Sequence, residues 1–163
     1  MTGLKVLAVA AANRRVGYAY FENSDLVYWT ISNKAGEKPL DAVAVTQDLI
    51  TRFAPDVLVS QAVTPSLTKS KNTKKVIAAI ARTGKHNDLI SISVPRLRKH
   101  KNKYEEAAAL AKIFPQVTDY LPQPRQLHHS KEPRNTVLFE AIALAVSLFE
   151  DEDQNLRIAQ AMG

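Results

Sequence analysis

Three apolar runs follow one another near the amino terminus, at residues 6–12, 16–21 and 26–31. Short polar breaks separate them, at residues 13–15 and 22–25. Breaks of this length predict three antiparallel strands joined by tight turns. The first run is apolar at every position, which is typical of a strand that is covered on both faces.

The rest of the chain alternates between helical and strand patterns. Apolar residues at helical spacing predict helices at 39–53, 76–83, 103–114 and 136–149, and short apolar runs predict strands at 56–60 and 89–94. Pro39 opens the first helix, and we expect Gly84 to end the second. Residues 61–75 are predicted to form a loop, and the acidic tail at 150–163 to add a last turn. A helix between two buried strands implies a crossover, so the strand at 56–60 should lie parallel to the first.

Composition limits the class of protein. The chain has 163 residues, of which 45% are hydrophobic and 23% charged, which predicts one globular domain over residues 1–163. There is no cysteine, which excludes disulfides, thiolate zinc sites and cysteine nucleophiles. The amino terminus mimics a weak secretory signal, but its cleavage would remove the predicted central strand. We therefore expect a cytoplasmic protein with no membrane partner.

The positive charge is concentrated in the middle of the chain. Residues 61–134 contain fifteen Lys and Arg against five Asp and Glu, whereas residues 1–60 contain six of each. Residues 135–163 contain one basic residue against five acidic ones. A basic middle on a neutral frame predicts a polyanionic partner, with an ordinary solvated surface as the alternative.

The sequence LAVAAANRRVGYA at residues 7–19 resembles the first motif of the Holliday-junction resolvase (RuvC-type) branch of the RNase H-like superfamily. That motif is an apolar strand ending in Asp-Pro-Gly, a few turn residues, and then Gly-Tyr. This chain has the strand, the spacing and Gly17-Tyr18, but Ala10, Ala11 and Ala12 replace Asp-Pro-Gly. The order of predicted elements over residues 4–149 also matches. The resemblance implies an α/β fold with a mixed five-stranded sheet, in which three antiparallel strands continue into parallel ones and helices cover both faces.

The resemblance also implies where a nuclease site should lie. RNase H-like nucleases hold two divalent cations between carboxylates. The family's acid positions fall on Ala10, Gln61, Val137 and Glu140, of which only Glu140 is acidic. We therefore predict a degenerate site with no cofactor; Mg²⁺ or Mn²⁺ enters only if the ligands were rebuilt around Glu140. An alternative for Glu140 is a narrow helical stripe that faces solvent, together with Thr136 and Ser147.

Basic residues follow the predicted strand ends. In the resolvases the lip of the cleft is built from the loop after the second acidic strand and from the segment after the fifth strand. The corresponding candidates for phosphate contact here, with two arginines of the first turn, are Arg14, Arg15, Lys69, Lys71, Lys74, Lys75, Arg96, Arg98, Lys99 and Lys101. Thr64 stands where those enzymes place a base-wedging aromatic residue, which argues against junction-specific recognition.

Three functional hypotheses follow. The first is a catalytically degenerate resolvase-like domain that binds nucleic acid through a basic cleft without cleaving it. The second is a divalent-metal-dependent nuclease with ligands rebuilt around Glu140. The third is a protein-interaction scaffold, with two copies pairing as a homodimer through the apolar helices.

Overall fold

The computed structural model of the protein describes residues 3–96, 100–122 and 134–163. The strands are β1 (Lys5–Ala12), β2 (Arg15–Glu22), β3 (Asp25–Ser32), β4 (Val57–Gln61) and β5 (Ile90–Val94). The α-helices are α1 (Pro39–Phe53), α2 (Lys71–His86), α3 (Lys103–Ile113), α4 (Thr136–Glu150) and α5 (Glu152–Met162). Short 3₁₀ turns occupy Lys34–Gly36 and Pro115–Tyr120.

The five strands form one mixed sheet in the order β3-β2-β1-β4-β5. β1 pairs antiparallel with β2, which pairs antiparallel with β3, while β4 lies parallel to both β1 and β5. The second hairpin turn contains Asn23 and Ser24, both with positive φ angles, as a two-residue turn between twisted strands requires. The predicted architecture of the sheet is therefore confirmed.

Side chains of β1 alternate between two apolar cores, one on each face of the sheet. Leu7 and Val9 point into a core that includes residues of α1 and α2, whereas Val6 and Ala8 point into a larger core with α3 and α4. Both faces are covered, so the side chains of β1 after Lys5 are buried on either side of the sheet. This explains why the first run is apolar throughout.

Gly17 and Tyr18 face opposite sides of the sheet. A Cβ atom on Gly17 would lie 2.5 Å from the carbonyl oxygen of Val137, so only glycine lets the first turn of α4 approach the sheet this closely. The Tyr18 hydroxyl lies on the other face, 2.9 Å from Oγ1 of Thr46 on α1. Burial raises the pKa of the Tyr18 phenol, which therefore keeps its proton at neutral pH.

Helix α2 differs from its prediction at both ends. It begins at Lys71 rather than at residue 76, because the Ser70 side chain caps it by accepting a hydrogen bond of 3.2 Å from the Thr73 amide. It continues past Gly84, which lies inside the helix with its α-carbon facing the Leu58 side chain of β4. The predicted stop at Gly84 is therefore wrong, and three predicted loop lysines, at positions 71, 74 and 75, lie on the first turns of a helix.

The acidic tail forms a helix of eleven residues rather than the predicted last turn. The Asp151 side chain caps it by accepting from the Gln154 amide at 3.1 Å. Ile158 is only 1% exposed and belongs to the same core as α4, so the tail itself covers part of that apolar helix. Pairing of two copies through α4 stays a prediction. Across the described ranges, no helix is long and apolar enough to cross a membrane.

Candidate functional site

The carboxyl ends of β1, β4 and β5 lie at one end of the sheet because these strands are parallel. The amino termini of α2 and α4 lie at the same end, since α2 follows β4 and the first turn of α4 packs on Gly17. A cleft of about 730 Å³ opens there, and its lining includes Gln61, Lys69 and Glu140. This is the end at which open α/β sheets bind their ligands.

The four family acid positions come together at this end. The register of β1 and β4 pairs Val9 with Ser60, so the next residues, Ala10 and Gln61, are neighbours. On its other side Ala10 pairs with Gly17, which contacts Val137 of α4. Ala10 and Val137 are each 1% exposed and share one apolar core. The positions that the resolvase motif would assign to acids thus lie together, but Ala10 and Val137 carry only aliphatic side chains.

Lys69 reaches into the middle of this frame. Its Nζ atom donates to Oε2 of Glu140 at 2.7 Å and to the backbone oxygen of Ala11 at 2.6 Å. The ammonium therefore joins the end of β1 to α4, and the two side chains of the ion pair are only 18% and 12% exposed. Sequence reasoning placed Lys69 on the lip of the cleft and did not anticipate this pair.

Two buried oxygens of the cleft accept no hydrogen bond from the part of the chain that the structure describes. They are Oε1 of Gln61 and Oγ1 of Thr136, and both residues line the cleft beside Glu140. Thr136 is only 4% exposed, so the alternative of a solvent-facing stripe through Thr136 and Glu140 is wrong. We call Ala10, Gln61, Lys69, Thr136, Val137 and Glu140 the central site.

The central site does not fit the pair of divalent cations that the fold family implies. Such a pair needs several carboxylates, but Ala10 and Val137 have no ligand atom and Gln61 offers a neutral oxygen. The remaining carboxylate, Glu140, is neutralised by Lys69. Within residues 3–96, 100–122 and 134–163, no group of three or more His, Asp or Glu side chains is arranged to hold a metal ion.

Basic side chains line the cleft or lie on the elements next to it. Arg96, His100, Lys101 and Lys103 line it. Together with the basic residues of the β1–β2 turn and of the first turns of α2, which are Arg14, Arg15, Lys71, Lys74 and Lys75, they are called the basic rim. Arg14 and Arg15 lie in and after the β1–β2 turn, against Gly36. Asn72 of α2 donates to the backbone oxygen of Glu37 at 3.1 Å, which holds the first turn of α2 close to that turn. The side chains of Arg14, Lys71, Lys75 and Lys101 are exposed, and Lys74 is half-buried. Two predicted contact residues, Arg98 and Lys99, lie outside the described residues.

Arg96 is engaged within the protein. Its Nη1 atom donates to Oε2 of Glu106 at 2.9 Å, and its Nη2 atom contacts the other carboxylate oxygen. The pair joins the segment after β5 to α3. His100, Lys103 and Tyr104 also line the cleft and were missed by sequence reasoning. The signal that could have found them is Asn102, whose side chain caps α3 and so starts that helix at the cleft.

No protein-family model matches the chain, and no curated protein sequence matches it. Solved structures do. Thermus thermophilus RuvC superposes with a TM-score of 0.61 at 13% identity, covering 96% of this chain and 97% of that one. The fowlpox virus Holliday junction resolvase gives a TM-score of 0.57 at 16% identity, covering 90% and 99%. The predicted RNase H-like fold, as seen in RuvC and other Holliday junction resolvases, is therefore confirmed.

Proposed function

We propose that this domain binds nucleic acid through the basic rim and does not cleave it. The observation that carries the proposal is the division of charge at one end of the sheet. In the central site the single carboxylate is paired with Lys69. Lys101 is exposed on the cleft lining, and Arg14, Lys71 and Lys75 are exposed on the β1–β2 turn and the first turns of α2, at the same end of the sheet. Nucleic acid is a polyanion whose phosphates bind such groups without regard to sequence.

Two of the structural neighbours support the choice of ligand. One is T. thermophilus RuvC in complex with a Holliday junction substrate, at a TM-score of 0.57 and 15% identity. The other is the fowlpox virus resolvase in complex with Holliday junction DNA, at 0.56 and 18%. Nucleic acid is therefore the ligand class that we propose for this chain, with the basic rim as the contact surface.

The chemistry of the central site supports binding without cleavage. Two-metal hydrolysis needs one cation to activate water and another to stabilise the leaving oxygen. The methyl groups of Ala10 and Val137 cannot hold either cation, and a metal at Glu140 would have to displace the Lys69 ammonium. The rebuilt-nuclease hypothesis therefore has less support than binding without cleavage.

The proposal is tested by the salt dependence of binding to labelled four-way, duplex and single-stranded DNA, followed by fluorescence anisotropy. The rim variant is Lys71→Ala with Lys75→Ala, on the first turns of α2. The matched control is Lys85→Ala with Lys112→Ala, which removes the same charge near the carboxyl ends of α2 and α3. Lys85 lies about 21 Å along α2 from Lys71, given a rise of 1.5 Å per residue.

We expect the log–log salt slope on duplex DNA to fall by about 1.8 in the rim variant, since each neutralised phosphate contributes roughly 0.9. The control should keep the unmodified slope, and no DNA should be cut. Equal losses in the two variants would contradict the assignment of the rim. Absence of binding at low salt would overturn the proposed function and favour the protein-interaction scaffold.

A further inference from the structure

The Lys69 ammonium contacts oxygens that belong to two separate parts of the fold. Ala11 supplies a backbone oxygen from the end of β1, and Glu140 supplies a carboxylate oxygen from α4. Gln61 and Thr136 line the same cleft with buried oxygens that no described group satisfies. Oxygen ligands are what Mg²⁺, Mn²⁺ and Ca²⁺ prefer, yet two of the oxygens in this cleft accept from a lysine ammonium.

We propose that Lys69 is a built-in cation that takes the place of a metal ion in the central site, and that its removal opens the site to a divalent cation. A single positive charge matches the single carboxylate that the described site contains. It also supplies three N–H donors, of which Ala11 and Glu140 accept two. The chain thus completes its own site and needs no metal to hold β1, the loop before α2 and α4 together.

The proposal concerns the protein without nucleic acid, so its test uses none. It can therefore fail while nucleic-acid binding succeeds, and the reverse also holds. The readout is the melting temperature with and without millimolar Mn²⁺ at constant ionic strength. Metal that binds only the folded state raises this temperature by mass action.

The test variant is Lys69→Met, which keeps most of the side-chain length and removes the charge. The matched control is Lys101→Met, because Lys101 lines the same cleft but its side chain is exposed. We expect Lys69→Met to lower the melting temperature in EDTA by roughly 3–10 °C, since it leaves Glu140 partly buried without its partner. The control should change it by less than about 1 °C.

At a Mn²⁺ concentration about five times the dissociation constant, Mn²⁺ should then raise the melting temperature of Lys69→Met by roughly 3 °C. It should leave the unmodified protein and Lys101→Met unchanged. The double variant Lys69→Met with Glu140→Gln should regain part of the lost stability in EDTA and should not respond to Mn²⁺. If Lys69→Met folds only when Mn²⁺ is present, that result also supports the proposal.

Two outcomes would overturn it. One is a Lys69→Met protein that folds and does not respond to Mn²⁺, Mg²⁺ or Ca²⁺. The other is an unmodified protein that Mn²⁺ stabilises as much as it stabilises the variant. A second measurement can be made on the unmodified protein: the ¹⁵N signal of the Lys69 ammonium should show slow proton exchange, and Glu140→Gln should make that exchange faster. Fast exchange in the unmodified protein would contradict the buried ion pair.

Discussion

The central site and the basic rim lie at the same end of the sheet, yet their charges are arranged in opposite ways. In the centre, Ala10 and Val137 are buried methyl groups, and the one carboxylate is neutralised by Lys69. On the rim, Lys71, Lys75 and Lys101 expose their side chains to solvent. If the proposed function holds, this difference separates the exposed cations that hold a phosphate backbone from the clustered acids that its hydrolysis would need.

The largest expected effect comes from placing the same acid in the central site and at an exposed position of the cleft lining. Ala10→Asp buries a carboxylate where Lys69 is already paired, so we expect it to lower the free energy of unfolding by about 3–5 kcal/mol. Thr64→Asp adds the same charge at an exposed position of the cleft lining and should change it by less than about 0.5 kcal/mol. Chemical denaturation measures both. Equal small effects would mean that water reaches Ala10.

A second comparison tests the close approach of α4 to the sheet at Gly17, beside the central site. Gly17→Ala would push a Cβ atom against the carbonyl of Val137, which is backbone and cannot turn away. We expect a loss of about 2–4 kcal/mol in the free energy of unfolding. Gly84→Ala is the control, because its Cβ atom would meet only side chains of Leu58 and Ser91, at 3.3 Å, and alanine favours a helix. A loss in Gly84→Ala as large as that in Gly17→Ala would contradict the close approach of α4.

The smallest expected effect is on DNA affinity, and it distinguishes a paired cation of the basic rim from an exposed one. Arg96 is held by Glu106, so Arg96→Met should weaken DNA binding by less than about twofold at low salt. Lys101→Met removes an exposed charge of the same cleft and should weaken it by about three- to tenfold. Fluorescence anisotropy titrations of the two variants with labelled DNA measure both affinities. The reverse order would show that the Arg96–Glu106 pair opens when DNA binds.

The sheet and most helices could be predicted from the sequence because each depends on local patterns. The apolar run of β1, the polar breaks around it and Pro39 at the start of α1 are all local signals, and α1 has the predicted bounds. The start of α2 was missed because the apolar pattern begins only at Val76, and the serine cap at Ser70 is followed by polar residues and lysines that are also typical of a loop. The length of α5 was missed because its one buried residue, Ile158, gives no periodic pattern.

The central site was predictable only in part. The convergence of Ala10, Gln61, Val137 and Glu140 followed from the family motif, and the register of β1 with β4 brings the first two together. The Lys69–Glu140 pair joins residues 71 positions apart, through a loop whose path no sequence pattern specifies. Glu106 was missed for the same reason, since its role depends on where α3 meets the segment after β5.

The central claim is that the cleft binds DNA through fixed cations of the chain and cuts nothing. The most direct measurement is the dissociation constant for a labelled four-way junction in EDTA and in millimolar Mn²⁺ at matched ionic strength, with the strands then separated on a denaturing gel. We predict equal affinity in the two conditions and intact strands after prolonged incubation. Strand cleavage in Mn²⁺, or binding that requires the metal, would contradict this account.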